Sequence, residues 1–189
     1  AYLEPHLIFL QLLLANNEPD AAGEKAALWI TNYPAGSPAP QRFGDIFFAA
    51  KDYETALLYY QKALNHTPDD SALLMSVGRS YQALGEDGKA SGAFEKVLQL
   101  APDNHEARFL DGLSLSNLDL PEDAVKQFEL YRKEFPKDIS TLNNLAVLYE
   151  KIGEPLQSKV MWLKVKTLSR DPTHKQRAES NLLRLIQSP

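Results

Sequence analysis

Apolar, small and polar positions in this chain return at a fixed spacing of 34 residues. Pro34, Pro68, Pro102 and Pro136 form the clearest column. Gly44, Gly78 and Gly112 keep the same register, with Ala146 in the fourth place. Ala22, Ala56, Ala90 and Ala124 form a small-residue column that continues at Ser158. Tyr60, Phe94, Phe128 and Trp162 make one aromatic column, and Phe47, Tyr81, Leu115 and Tyr149 another. Proline supplies only 12 of 189 residues, so four in register mark a repeated structural unit.

Each column has a physical job. Proline disfavours helical dihedrals in the residue before it, which ends a helix near Tyr33, Thr67, Ala101 and Phe135. Helix-starting residues follow: Asp69 or Asp70, Asp103 or Asn104, and Asp138 are expected N-caps. A second start lies inside each unit, where Asp52 and Asp87 can cap and Pro19, Pro121 and Pro155 suit a first helical turn. Two helices of about 14 residues with short turns are therefore expected per unit. Glycine inside a helix costs roughly 1 kcal/mol against alanine, so three at one register position imply a partner helix passing close by. The alanine column implies the same on the second helix. The aromatic columns are expected to fill the space between adjacent units, each buried ring contributing ~1.5–3 kcal/mol. One unit cannot hide its own apolar faces, so neighbours must stack.

This pattern resembles the tetratricopeptide repeat (TPR) family. The carrying residues are Phe43-Gly44, Phe47, Ala56, Tyr60, Ala63 and Pro68 in the second unit. In the third they are Leu74, Val77-Gly78, Tyr81, Gly85, Ala90, Phe94, Val97 and Pro102. The fourth has Gly112, Leu115, Ala124, Phe128 and Pro136; the fifth has Leu142, Leu145-Ala146, Tyr149, Gly153 and Trp162. The first is weaker, with Phe9-Leu10, Leu13, Ala22 and Pro34. The resemblance implies an all-α, right-handed superhelical solenoid: one domain over residues 1–189, with repeats at about 3–36, 37–70, 71–104, 105–138 and 139–172. Residues 173–187 then form a capping helix with Thr173 as N-cap and an apolar stripe of Ala178, Leu182, Leu185 and Ile186, or else the first helix of a sixth unit. Three departures stand out. Leu10 occupies the glycine place of the first unit, so that helix pair should splay. Asp111 stands where a buried aliphatic residue is usual, and is expected to pair with a donor such as Arg108 or to stay partly exposed. Arg170 replaces proline in the fifth unit, so its second helix should run longer.

Composition adds limits. Apolar residues are 44% and charged residues 24%, the values of a globular chain. There is no cysteine, which removes disulfides, thiolate metal sites and cysteine nucleophiles. The net charge of −5 argues against nucleic acid as a partner. Charge is unevenly spread, because residues 159–189 carry seven basic residues against Asp171 and Glu179. The basic stretch is read as a solvated face, or as a surface for weak self-association with the acidic remainder of another copy. No apolar run is long enough to span a membrane; the richest, Leu7 to Ala15, is too short and lacks the basic flank of a signal peptide. The chain begins at Ala1 without Met, as a processed protein or a domain cut from a longer, even membrane-tethered, one would. Either a cytoplasmic or a periplasmic setting suits it.

The sequence carries no catalytic set, and no cofactor or metal is called for. His6, His66, His105 and His174 lack zinc-helix spacing and are expected on the solvated surface. There is no phosphate loop and no nucleophile elbow. Adjacent carboxylates at Asp69-Asp70 and Glu86-Asp87 sit where helix caps belong. A non-enzymatic scaffold is the reading that remains.

The resemblance also implies a binding face, since the first helix of each unit lines the concave side of such arrays. By register that side carries Leu7, Gln11 and Leu14, then Gln41, Asp45 and Phe48, then Met75, Arg79 and Gln82. Phe109, Leu113 and Ser116 follow, and then Asn143, Val147 and Glu150. Phe48, Met75, Phe109 and Leu113 near Arg79 would form an apolar patch for a protein or peptide ligand. Some members grip a C-terminal carboxylate with a Lys, Asn and Arg clamp. Here the corresponding places hold Gln41, Asp45, Met75, Ser76, Phe109 and Leu113, which argues against chaperone tails as ligands. The expected function is a protein-interaction scaffold within a larger assembly or longer chain. The alternatives are a regulatory or substrate-presenting domain of a larger enzyme, or a self-assembling scaffold.

Overall fold

The protein is described here by a computed structural model covering residues 3–187. Those residues form eleven α-helices and no strand, an all-α helical repeat fold. The helices are α1 (Leu3–Ala15), α2 (Pro19–Ile30), α3 (Ala39–Ala49), α4 (Tyr53–Leu64), α5 (Ser71–Ala83) and α6 (Asp87–Leu100). Then come α7 (His105–Asn117), α8 (Pro121–Glu134), α9 (Ile139–Lys151), α10 (Pro155–Leu168) and α11 (Pro172–Gln187). Two compact units divide the chain, Ala1–Pro102 and Asp103–Pro189. In the first, α1 packs on α2 and α3, α3 on α4, α4 on α5 and α5 on α6. In the second, each helix from α7 to α11 packs on the next.

Helix starts follow side-chain chemistry. Asp52, Asp70, Asn104 and Asp138 each accept a hydrogen bond from the backbone N–H three residues on, at 2.7–3.1 Å. Asp87 does not cap; it lies inside α6, whose N-cap is Glu86 without a side-chain bond. Thr173 is also corrected: Asp171 accepts from the Thr173 backbone N–H at 2.8 Å and from its hydroxyl at 2.7 Å. Pro19, Pro121 and Pro155 stand in first turns, where the missing N–H costs nothing.

The turn inside each pair has a stricter rule. Asn17, Lys51, Gly85, Asp119 and Gly153 all have positive φ, between 58° and 77°, and all share one register position. In each case the next residue's N–H bonds back five residues, as Glu18 does to the Leu13 carbonyl at 2.9 Å and Asp52 to that of Phe47 at 2.9 Å. This left-handed closure satisfies the last carbonyls of the first helix and turns the chain into the second. Only two of the five positions are glycine, so three side chains tolerate a conformation that L-residues resist.

Inside each pair, glycine and aromatic columns explain one another. A Cβ on Gly44 would lie 2.5 Å from the Tyr60 ring, and one on Gly78 2.5 Å from the Phe94 ring. On Gly112 it would meet Phe128 at 3.0 Å. These aromatic rings therefore pack against the first helix of their own unit, and Tyr60 also reaches Ser76 and Arg79 of the next repeat, as expected of a ring between units. The first unit's core holds Leu10, Phe43, Phe47, Tyr59, Tyr60 and Leu73, all buried. The second unit's core holds Phe128, Leu142, Leu145, Trp162 and Val165, closed by Ala178 and Leu185 of α11.

The departures resolve individually. Leu10 is fully buried in the glycine place, and α1 touches α2 more sparsely than the other pairs touch. Asp111 is fully buried in α7 rather than partly exposed. Helix α10 ends at Leu168 with Ser169 as C-cap, no longer than α6 or α8, so losing the proline at 170 does not extend it. Ile186 is exposed instead of joining the buried stripe of α11.

Candidate protein-binding surfaces

In the first unit, α3 and α5 occupy equivalent places in consecutive repeats, so residues 34 apart can share one surface. Asp45 and Phe48, one turn apart on α3, and Ser76 and Arg79, one turn apart on α5, line a cleft of about 170 Å³ with Tyr60 from α4. The Tyr60 hydroxyl donates to Asp45 Oδ1 at 3.0 Å. Burial pushes the Tyr60 phenol well above its usual range, and the adjacent Asp45 carboxylate adds to this. Tyr60 is thus a neutral donor at any physiological pH and holds the carboxylate at the cleft rim. Phe48 is half-buried, edge-on to Tyr53 at 5.3 Å between ring centres. Asp45 is exposed and Arg79 half-buried. One apolar ring and two opposite charges on a small concave surface can hold a side chain and orient a peptide backbone.

A second cleft, about 300 Å³, lies where α1 meets α3 and is lined by Gln11, Leu14, Ala15, Ile46, Ala49 and Ala50. Its lining is mostly apolar and its only polar side chain is Gln11. Gln41 faces elsewhere, into a cleft of about 220 Å³ with Gly36, His66, Thr67 and Asp70. Gln82 is half-buried on α5.

Two expected surface residues are corrected. Leu7 is only 3% exposed and belongs to the core beside Leu10. Met75 is 6% exposed. Both lie on the packed side of their helices and offer no area to a partner.

In the second unit, Phe109 is half-buried, edge-on to Phe128 with centroids 5.6 Å apart and 5.2 Å from Tyr131. Leu113 also packs against that core. Ser116 and Asn143 are half-buried and Val147 is exposed. The Asn143 side-chain carbonyl is buried without a hydrogen-bond donor among the described residues. Glu150 is already engaged. Its Oε1 accepts from Trp162 Nε1 at 3.0 Å and from Ser158 Oγ at 3.1 Å, while Arg184 of α11 pairs with Oε2. Burial works against the Glu150 charge, but the bonds from Arg184, Trp162 and Ser158 outweigh it and hold its carboxyl below the usual value. Glu150 is therefore a clasp for the last helix.

The cleft residues that sequence reasoning missed are Tyr60 and Ser76. Tyr60 was assigned to the core column, where Phe94 and Phe128 stand in other units. The signal was its hydroxyl, because a buried phenol needs a polar partner. The histidines are also corrected in part. His6 stacks on Trp29 with ring centres 4.1 Å apart and bonds the Tyr33 hydroxyl at 2.7 Å. His105 lies edge-on to Phe135, and His174 approaches Ser169 Oγ at 3.4 Å. Among the described residues no three His, Cys, Asp or Glu side chains gather as a metal set. No described helix is long and apolar enough to cross a membrane.

Comparisons with known proteins agree with this architecture. The family model of the tetratricopeptide repeat matches residues 72–104. A CTR9 homolog of Arabidopsis thaliana is 33% identical over 146 residues, covering 72% of this chain and 13% of that protein. The peroxisomal targeting signal receptor of Candida albicans is 28% identical over 105 residues, covering 53% of this chain and 18% of the receptor. The chain thus spans less than a fifth of the length of either relative. Among solved structures, YrrB, a TPR protein with an unusual peptide-binding site, superposes with a TM-score of 0.75 at 21% identity. That superposition covers 93% of this chain and 91% of YrrB.

Proposed function

Because this chain belongs to the tetratricopeptide repeat family, we propose that it is a protein-interaction scaffold whose first unit captures a peptide segment of a partner. The observation carrying the proposal is the cleft of Asp45, Phe48, Tyr60, Ser76 and Arg79. Phe48 supplies an apolar wall. Arg79 supplies donors for a backbone carbonyl or carboxylate, and Asp45, held by Tyr60, supplies an acceptor for a peptide N–H or a basic side chain. The neighbouring apolar cleft at Gln11, Leu14 and Ile46 extends the surface along α3 toward α1. Together these features suit an extended or helical ligand with one apolar anchor between polar contacts. Chemistry on a bound substrate has no support here, so the chain's role is to hold a partner within an assembly or longer protein.

A selection from a displayed random-peptide library tests this reading. Wild-type protein is expected to enrich a common motif with a central apolar residue. Phe48→Ala with Arg79→Ala should weaken the enriched peptides by about 10-fold or more, the effect of losing roughly 1.4 kcal/mol or more at an interface centre. Circular dichroism would verify that the variant stays folded. Unchanged affinity in the folded double variant would place the ligand elsewhere.

A further inference from the structure

Helix α1 is apolar on nearly every side, since Glu4 and His6 are its only acidic or basic residues. It buries Leu7 and Leu10, yet leaves Ile8, Phe9 and Leu12 exposed. Helix α2 adds Leu28, 61% exposed, in one stripe with Asp20 and Glu24 at spacings of four. Helix α10 repeats the theme in the second unit. It buries Met161, Trp162 and Val165 but exposes Leu156, Val160 and Leu163, which recur at helical spacing; Leu156 is 72% exposed. Helix α11 leaves Leu183 and Ile186 uncovered. Helices that are apolar all round belong inside a protein, and clustered exposed apolar residues mark association surfaces.

The two surfaces carry opposite charge. Helices α1 and α2 with their linking turn hold Glu4, Glu18, Asp20 and Glu24 against Lys25. Only Glu4 of these acids has an ion pair among the described residues, with Arg42 at 3.6 Å. On the other surface Lys166, Arg177 and Arg184 are used internally, by Glu179, the Trp162 ring and Glu150. Lys159, Lys164, Arg170 and Lys175 have no ion-pair partner among the described residues. Lys159 lies directly beside Val160 on α10.

We infer that the acidic, apolar outer face of α1–α2 in one copy docks on the basic, apolar outer face of α10–α11 in a second copy, head to tail. Each chain carries both halves of the contact, so the interface is heterologous and builds a ring of several copies or an open chain, according to the rotation between neighbours. Apolar contact supplies the affinity, and the charges select the orientation and reject head-to-head pairing. The cleft at Phe48 and Arg79 takes no part, so this association and peptide capture stand or fall separately.

Sedimentation velocity and light scattering on the whole chain test the inference. In low salt the mean mass should rise with concentration past two copies, and the association should weaken near 1 M salt, where the Debye length is only about 3 Å. Leu12→Glu with Leu28→Glu disables the α1–α2 face, and Leu156→Glu with Val160→Glu disables the α10–α11 face. Each change is at an exposed position, and circular dichroism verifies folding. Each variant alone should remain monomeric. An equimolar mixture of the two should form dimers and stop there, because each partner keeps one working face. A wild-type monomer at every concentration would overturn the inference. So would a wild-type mass that stops at two copies, or folded variants that fail to dimerise on mixing.

Discussion

Arg184 lies one repeat length, 34 residues, beyond Glu150 and pairs with its carboxylate. The two occupy equivalent positions on α9 and α11. The last helix therefore continues the register of the array, packed on α10. Through Glu150 the clasp reaches Trp162 and Ser158, so one carboxylate ties three helices together.

That clasp should unequally divide the cost of losing its members. Glu150→Ala strands the Trp162 indole N–H, buried at 1% exposure, and should cost about 1–3 kcal/mol. Arg184→Ala removes a half-exposed partner and should cost under about 1 kcal/mol. Thermal unfolding measures both, and hydrogen exchange should show α11 opening first in either variant. The Glu150 carboxyl is lowered in the fold, so its contribution is present above the ordinary value of 4.5 and fades as pH falls through the lower folded value. In Arg184→Ala, where Glu150 no longer touches α11, protection of α11 should lose this dependence on acid pH.

Two glycines should respond in opposite directions to alanine. At Gly78 the new Cβ meets the Phe94 ring at 2.5 Å, and the substitution should destabilise by about 1–3 kcal/mol. At Gly92, inside α6, a Cβ meets nothing within 4 Å. Alanine there should stabilise by about 0.5–1 kcal/mol through helix propensity. Denaturant titrations of both variants check the signs.

Lys51 holds φ at 65°, in the register place that Gly85 and Gly153 fill elsewhere. Its side chain is exposed, so little packing is lost on removing it. Lys51→Gly should raise stability by about 0.5–1 kcal/mol, because relief of the left-handed strain exceeds the entropy cost of glycine. A lower melting temperature would contradict this account of the turn.

Alkaline pH should unfold the protein through its phenols. Burial raises Tyr59 to about 12, and burial with the Glu129 hydrogen bond raises Tyr149 to about 12. Each group is held protonated in the fold, so its contribution is complete below the unfolded value of 10.0 and is lost as pH climbs toward 12. A spectrophotometric titration should show exposed tyrosines ionising first, with Tyr59 and Tyr149 ionising only as helicity falls.

Much of the fold was legible in the chain because each unit solves one packing problem in the same way. The proline, glycine and aromatic columns located every helix pair. The caps at Asp52, Asp70, Asn104 and Asp138 could be read because capping is a local backbone interaction. Asp87 and Thr173 were misplaced by one or two residues because their neighbours offer rival starts. The left-handed column at Asn17, Lys51, Gly85, Asp119 and Gly153 was hidden by residue identity, since only two of its members are glycine.

The sequence by itself determined the period, the helix pairing and most of the core, since these follow from spacing and side-chain size within about 34 residues. Only the tertiary structure decided which register positions are free to meet a partner. Leu7 and Met75 turned inward, Glu150 was claimed by Arg184, and Tyr60, buried in the core, holds Asp45 at the cleft through its hydroxyl. The reason is geometric. Periodicity assigns a residue to a face of its helix, but what covers that face is set by neighbouring helices and by side chains one repeat away.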